Sequence, residues 1–372
     1  MTVNPNQPQP GVAPLWAVLS VTWLCSFSSG IGWNGMFFIT EDALGFTKQQ
    51  NLVLAAAFGV VYTFCAATAG RFMRLLAKRG WSLRRWLAAI VIGTGAAALL
   101  PFFARAAWSI WIFGFFFMTL IGFLWPTVEA YLSGGRRSKR LLFATGRFNL
   151  TWASALVVMM WFIAPIIEHA PFIVFGGLTL AQLLALGIVL RFFPANPAPA
   201  GHADQEMLAH ESYGIDRART LLKGFRILLM CSYTLHAALT PILPHLLSQL
   251  DVPVDRAAVV TSIWLISRFL MFLLLERWHG WHGRWRTAIW SGALMLLGVV
   301  GCVLAPNLGL MTAGLIALGA GVGAVYAAAL YYAMEAGSAE VDAGGWHEAM
   351  IGMGYAIGPI AALLIGSASG AF

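Results

Sequence analysis

Eleven apolar runs, each about twenty residues long and separated by short polar connections, constrain this 372-residue chain more than any other feature of it. A helix of that length crosses the roughly 30 Å hydrocarbon core of a bilayer. Inside hydrocarbon every backbone N–H and C=O needs a partner within the protein, which leaves helices and closed barrels as the spanning forms. A barrel would show segments of about ten residues with alternating polarity. The runs at 14–39, 52–70, 86–104, 107–133, 146–166, 170–192, 225–249, 256–276, 286–305, 308–334 and 346–368 do not alternate. They predict an all-α integral membrane protein whose first partner is the lipid bilayer. Composition agrees: 59% of residues are hydrophobic and 10% charged, against roughly a quarter charged in globular domains. The first run is too long for a signal-peptide core, and no Lys or Arg precedes it.

Between the sixth and seventh runs lies the one long polar stretch, Pro194 to Thr220. It opens Pro-Ala-Asn-Pro-Ala-Pro-Ala-Gly and continues through Asp204, Glu206, Glu211 and Asp216, which is linker composition. The chain divides into an N-terminal six-helix bundle (1–193), a linker (194–221) and a C-terminal five-helix bundle (222–372). Lys and Arg set the orientation. With the N-terminus in the cytoplasm, nineteen of the 23 basic residues fall in cytoplasmic connections. These are Arg71 to Arg85, Arg136 to Arg147, Arg191 with Arg217 to Arg226, and Arg277 to Arg286. Only Lys48, Arg105 and Arg256 lie outside. The formal charge of +8 is therefore a topology signal of a multi-pass plasma-membrane protein and not a nucleic-acid footprint.

One phrase recurs. Trp125-Pro-Thr-Val-Glu129 closes the fourth run and Tyr331-Tyr332-Ala-Met-Glu335 the tenth, with the glutamates 206 positions apart. Leu44-Gly45 after the first run and Leu250-Asp251 after the seventh keep that offset, which also sets Tyr62 opposite Arg268. A shared offset predicts two parallel repeats of six and five helices.

Arg268 is the least expected residue, near the middle of the eighth run. Even on the lenient insertion scale a central Arg costs about 2.5–3.5 kcal/mol, so it faces the interior and needs a partner. Trp264, one turn earlier, shares its face and can stack on it. Two readings stand: an anion- or substrate-orienting site in a cavity, or a structural bridge to a carboxylate or helix-end carbonyl. Glu129 and Glu335 allow two readings as well. Each is a proton-coupling carboxylate, or each latches an inner gate, with Arg136, Arg137 or Arg147 as candidates for Glu129. Further polar positions line a path or bond their own helix: His236 with Ser232 and Thr240, and Asn34 with Thr22, Ser26 and Ser29. Trp125, and Asn149 with Trp152 and Ser154, face the same cavity. His347 and Glu348 open the last run, where an acid serves a gate, a coupling site or simply the helix start. Gly352, Gly354, Gly358 and Pro359 read as close packing with a bend.

Enzyme signatures are absent: there is no Walker loop, zinc-type His-Glu-x-x-His or dinucleotide fingerprint. All four cysteines (Cys25, Cys65, Cys231, Cys302) sit in apolar runs without metal-ligand spacing. No cofactor and no metal are expected.

Two helical halves, a polar central loop and basic 2–3 and 8–9 loops together resemble the major facilitator superfamily. After the second span the family carries G-x-x-x-D-R-x-G-R-R; here the segment is Gly70-Arg71-Phe-Met-Arg74-Leu-Leu-Ala-Lys78-Arg79-Gly80, basic but without the aspartate. Glu276-Arg277-Trp278-His279-Gly280 is the second-half counterpart and keeps an acid–base pair. Gly354-Tyr-Ala-Ile-Gly358-Pro359 is similar to the family's Gly-Pro helix. The fourth span lacks the arginine of many proton-driven members, and a twelfth helix is missing. The resemblance implies a monomeric secondary transporter that moves a small polar or amphipathic organic solute by alternating access, with its site between the halves. A proton is the implied coupling ion, Glu276 and Arg277 the implied gate pair, and Arg268 points to a solute with an anionic group. The alternative is a non-transporting membrane sensor or a truncated, inactive relative.

Overall fold

The computed structural model describes residues 11–136, 138–198, 214–335 and 341–369; the side chains of a few of these, Glu335 among them, lie outside the described set. Among the described residues there is helix and no sheet, and eleven helices are long and apolar enough to cross a membrane. The first half holds α1 (Leu15–Leu44), α2 (Lys48–Lys78), α3 (Leu83–Ala104), α4 (Ala107–Ser133), α5 (Ser138–Ile167) and α6 (Ile173–Phe192). The second half begins with α7, which runs Gly214–Leu239, then through a tight turn Thr240–Ile242 into Leu243–Ser248. It continues with α8 (Val254–Arg277), α9 (Trp285–Val303), α10 (Leu308–Glu335) and α11 (Val341–Ser369). Large apolar side chains such as Phe64, Phe103, Ile289 and Leu297 point outward, a surface suited to lipid rather than water.

Two helices start well before the apolar runs that announce them. The seventh run begins at 225, yet α7 is helical from Gly214, because its first turns are polar, with Arg219 and Asp216 3.7 Å apart on their surface. Hydropathy sees only the part that suits hydrocarbon. Likewise α11 begins at Val341, two turns before Glu348, so that carboxylate sits inside the helix and not at its start.

The 206-residue offset is visible in the backbone. Gly45 (φ 65°) ends α1 and Asp251 (φ 57°) follows α7, both left-handed at corresponding positions. Glycine takes that conformation freely, and Asp is one of the few other residues that tolerates it. After Gly45, Thr47 starts α2 with a reciprocal cap: its hydroxyl accepts from the Gln50 amide (3.2 Å) while the Gln50 side chain accepts from Thr47 N (2.8 Å). Midway along each half's first helix the α geometry breaks, as a π turn over Ile31–Gly35 in α1 and a 3₁₀ turn over Thr240–Ile242 in α7. Pro241 and Pro244 account for the second break.

The halves meet along two lines, α2 against α11 and α5 against α8, and again where the far ends of α1 and α7 touch. Glycine makes the first contact possible. A Cβ on Gly59 would overlap the Tyr355–Ala356 backbone, and one on Gly352 would lie 2.6 Å from the Thr63 hydroxyl oxygen and 2.9 Å from its Cα. Across the second line, Trp161 Nε1 donates to Ser262 Oγ at 2.9 Å.

The first residues of the expected linker are held by the N-terminal bundle. Arg84 donates to the Phe193 carbonyl (3.1 Å), Leu83 N to Asn196 Oδ1 (2.8 Å) and the Tyr131 hydroxyl to the Pro194 carbonyl (3.0 Å). Residues 199–213 lie outside the described set.

Candidate functional site

A cavity of about 90 Å³ lies between the halves at mid-span. From the first half, Ser26, Ser29, Trp33 and Asn34 on α1, Tyr62 on α2, Trp125 on α4 and Trp152 on α5 reach it. From the second come Tyr233 on α7, Arg268 on α8, Tyr326 on α10, and Glu348 and Tyr355 on α11. The π turn matters here: it advances the register of α1 so that Trp33 and Asn34 both turn inward, a common use of such bulges at working sites.

Arg268 is 3% exposed and lies against two indoles. Its guanidinium carbon lies 4.3 Å from the Trp152 ring and 4.9 Å from that of Trp264. Trp152 is itself fixed, its Nε1 donating to Asn149 Oδ1 at 3.2 Å. Stacking recovers about 0.5–2 kcal/mol per ring when desolvated, so two rings offset much of the insertion cost of about 2.5–3.5 kcal/mol. Neither alternative weighed from sequence, a carboxylate or a helix-end carbonyl, partners Arg268 among the described residues; the Tyr233 hydroxyl is its polar neighbour. Its Nε, the Trp264 Nε1 and both ring nitrogens of His236 are buried without a partner. His236 packs edge-on to Trp264 at 5.0 Å and against Tyr355 at 5.1 Å.

The acidic group facing this cavity is Glu348, which accepts a hydrogen bond from the Tyr62 hydroxyl across the α2–α11 seam. Glu129 is half-buried and within electrostatic range of Glu348, Tyr62 and Tyr326. It pairs with no basic residue among those described. Arg136 is engaged elsewhere: its guanidinium donates to the carbonyls of Tyr131 (2.9 Å), Leu132 (2.8 Å) and Ala13 (2.6 Å), closing the end of α4. Burial lowers the Arg136 pKa from its ordinary value, and those three acceptors keep the charge satisfied.

The structure thus gathers Arg268, Trp264, His236, Asn34, Tyr62, Trp125 and Glu348 at or against one cavity, with Asn149 behind Trp152. It leaves Glu276 and Arg277 exposed at the end of α8, away from the cavity. Glu335 ends α10, and its side chain lies outside the described set. Four of the chain's eight tyrosines line the cavity, and three of them, Tyr233, Tyr326 and Tyr355, escaped the sequence reading. A signal existed: a tyrosine inside an apolar run needs a partner for its hydroxyl. Equally unforeseen was the contact that seals the far end. His245 Nδ1 of α7 lies 3.0 Å from Glu41 Oε1 of α1, the two side chains only 18% and 19% exposed.

The chain is similar to several solved structures of transporters. The chain superposes on a bacterial homolog of the human lysosomal transporter Spinster, in an inward-facing, unoccupied conformation, with a TM-score of 0.65 at 15% identity over 96% of this chain and 82% of the other. It is similar to the human organic anion transporter MFSD10 (TM-score 0.63, 13% identity, 98% and 96% covered). It is also similar to the nucleoside transporter NupG (TM-score 0.61, 14% identity, 93% and 89% covered). A search of curated protein sequences finds no match. At such identities the likeness establishes the fold. Family membership comes from the sequence itself: the Major Facilitator Superfamily profile matches residues 22–340, and the chain belongs to that superfamily.

Proposed function

We propose that the protein is a secondary transporter that moves a small organic solute by alternating access, with the mid-span cavity as its solute site. The observation that carries this reading is the position of the cavity. Its walls come from both halves, so any rocking of one half against the other opens it to one side of the membrane or the other. The halves touch at the far end through α1 and α7, where Glu41 meets His245, and no comparable packing joins α4 to α10 at the opposite end among the described residues. That arrangement fits a state closed at the α1–α7 end.

Coupling to protons would rest on Glu348, a buried carboxylate that lines the cavity and is bonded to Tyr62 of the other half. Taking up a proton there from one side and releasing it to the other links proton movement to solute movement. Tyr62, which donates to Glu348 from the other half, is placed to report that change to the α2–α11 seam. In this reading the protein works as a monomer in the plasma membrane with its N-terminus in the cytoplasm, as the placement of basic residues suggests.

The test is solute flux in proteoliposomes under an imposed pH gradient, using a panel of organic anions, cations and neutral compounds. Uptake of at least one compound that collapses in Arg268→Ala, with the variant still folded by size-exclusion chromatography, supports the reading. Saturable binding with no flux under either gradient polarity refutes transport and identifies a sensor.

A further inference from the structure

From the arrangement of charge and rings in the cavity we infer a solute class: a planar, single-ring organic carboxylate whose anionic group takes the edge of the Arg268 guanidinium. The inference rests on the reading of this cavity as a solute site.

Three observations carry it. First, the cation lacks a counter-ion. Glu348, the carboxylate lining the cavity, is engaged by the Tyr62 hydroxyl, and no ion pair to Arg268 exists among the described residues. A charge held in low dielectric without its opposite is completed by a ligand that brings one. Second, the unmet hydrogen-bonding capacity is biased toward donors. Trp264 Nε1 and Arg268 Nε are buried with no partner, and both donate only. A carboxylate accepts only, so it answers that surplus where an ammonium or a hydroxyl donor does not. The His236 ring beside Trp264 also has neither nitrogen bonded and can both donate and accept, so the bias rests on the other two groups.

Third, the indoles dictate the approach. The guanidinium carbon lies over both the Trp152 and the Trp264 ring, so a carboxylate meets the group through its N–H edge, where two parallel hydrogen bonds form. Aromatic rings make up much of the remaining wall. Trp33 from α1 and Tyr355 from α11 are stacked face to face at 3.8 Å with planes 17° apart. Separation of the halves would open a slot between them for one more ring. The volume of about 90 Å³ holds on the order of six to nine water-sized units, the size class of a single-ring acid rather than a drug-sized ligand.

Benzoate, benzylamine, benzyl alcohol and acetate are the probes, each titrated calorimetrically into the purified full-length protein. Benzoate should bind at least tenfold more tightly than benzylamine, benzyl alcohol or acetate. Arg268→Gln should weaken benzoate at least tenfold and leave benzyl alcohol unchanged. Arg268→Lys keeps the charge without the planar fork and should fall between the two; it also serves if Arg268→Gln does not fold. The inference is overturned if benzylamine matches benzoate, if none of the probes binds, if acetate binds as well as benzoate, or if benzoate affinity ignores both substitutions. Benzoate binding without flux under either pH gradient would keep the class and remove transport. Flux of other compounds with no benzoate binding would do the reverse.

Discussion

The two halves share a backbone plan but divide the site between them unequally. Offset positions 62 and 268 both face the cavity, yet one is tyrosine and the other arginine. The first half supplies mostly uncharged walls, with Trp33, Tyr62, Trp125 and Trp152. The second supplies the charges that face the cavity, Arg268 and Glu348. The breaks in their first helices differ as well. In α1 a π turn without proline carries Trp33 and Asn34 to the cavity, whereas α7 breaks at Pro241 and Pro244. A duplicated scaffold lets one half bind charge while the other holds rings against it, and each helps to hold the other's groups: Trp152 plates Arg268, and Tyr62 holds Glu348.

That division predicts unequal consequences of mutation at equivalent positions. The largest effect is expected at Arg268→Leu. Loss of a buried, ligand-facing charge costs about 2–5 kcal/mol in such settings, so uptake in proteoliposomes should fall by more than about thirtyfold with folding retained. Intact uptake would break the assignment of charge to the second half. Tyr62→Phe, at the matching position, removes one hydrogen bond to a carboxylate, about 1–3 kcal/mol. It should reduce the dependence of uptake on the pH gradient more than it reduces solute affinity. Equal losses of affinity in the two variants would erase the distinction between the halves.

Next in size, Gly352→Leu forces a branched side chain into the α2–α11 seam, where even a Cβ would meet Thr63. Overpacking of this kind costs about 1–3 kcal/mol, read as a lowered melting temperature in detergent together with slowed exchange. Gly146→Leu, whose Cβ position is nearly open, is the control and should leave melting unchanged. Smallest is the contact between Glu41 and His245, a partly exposed pair worth about 1 kcal/mol or less. His245→Ala should raise the reactivity of a cysteine placed at Asn34 toward a membrane-impermeant maleimide added from the Glu41 side. Unchanged labelling would show that the α1–α7 closure rests on apolar packing alone.

Much of the fold was legible because the bilayer imposes a simple rule on it. Apolar length marked eleven spans, and the recurrence of Leu44-Gly45 in Leu250-Asp251 marked the repeat, since a left-handed position is needed wherever such a helix ends in this way. The site was legible in part. Arg268 and Trp264 announced themselves, because a charge in hydrocarbon demands an explanation and a residue one turn away is its natural neighbour.

What the sequence by itself determined is therefore the class, the two halves and the presence of one interior cation, all consequences of local hydropathy and helical spacing. The tertiary structure alone decided which groups meet across helices far apart in the chain. Trp152 covers Arg268 from 116 positions away, Tyr62 reaches Glu348 from 286 away, and Glu41 finds His245 at the end of another half. Helical periodicity carries no information about the rotation of one helix against a distant one. That rotation is set by glycine contacts such as Gly59 on Tyr355, and by the π turn that aims Trp33 and Asn34 inward. Once those are fixed, the polar groups have few partners left to choose from, and the cavity follows.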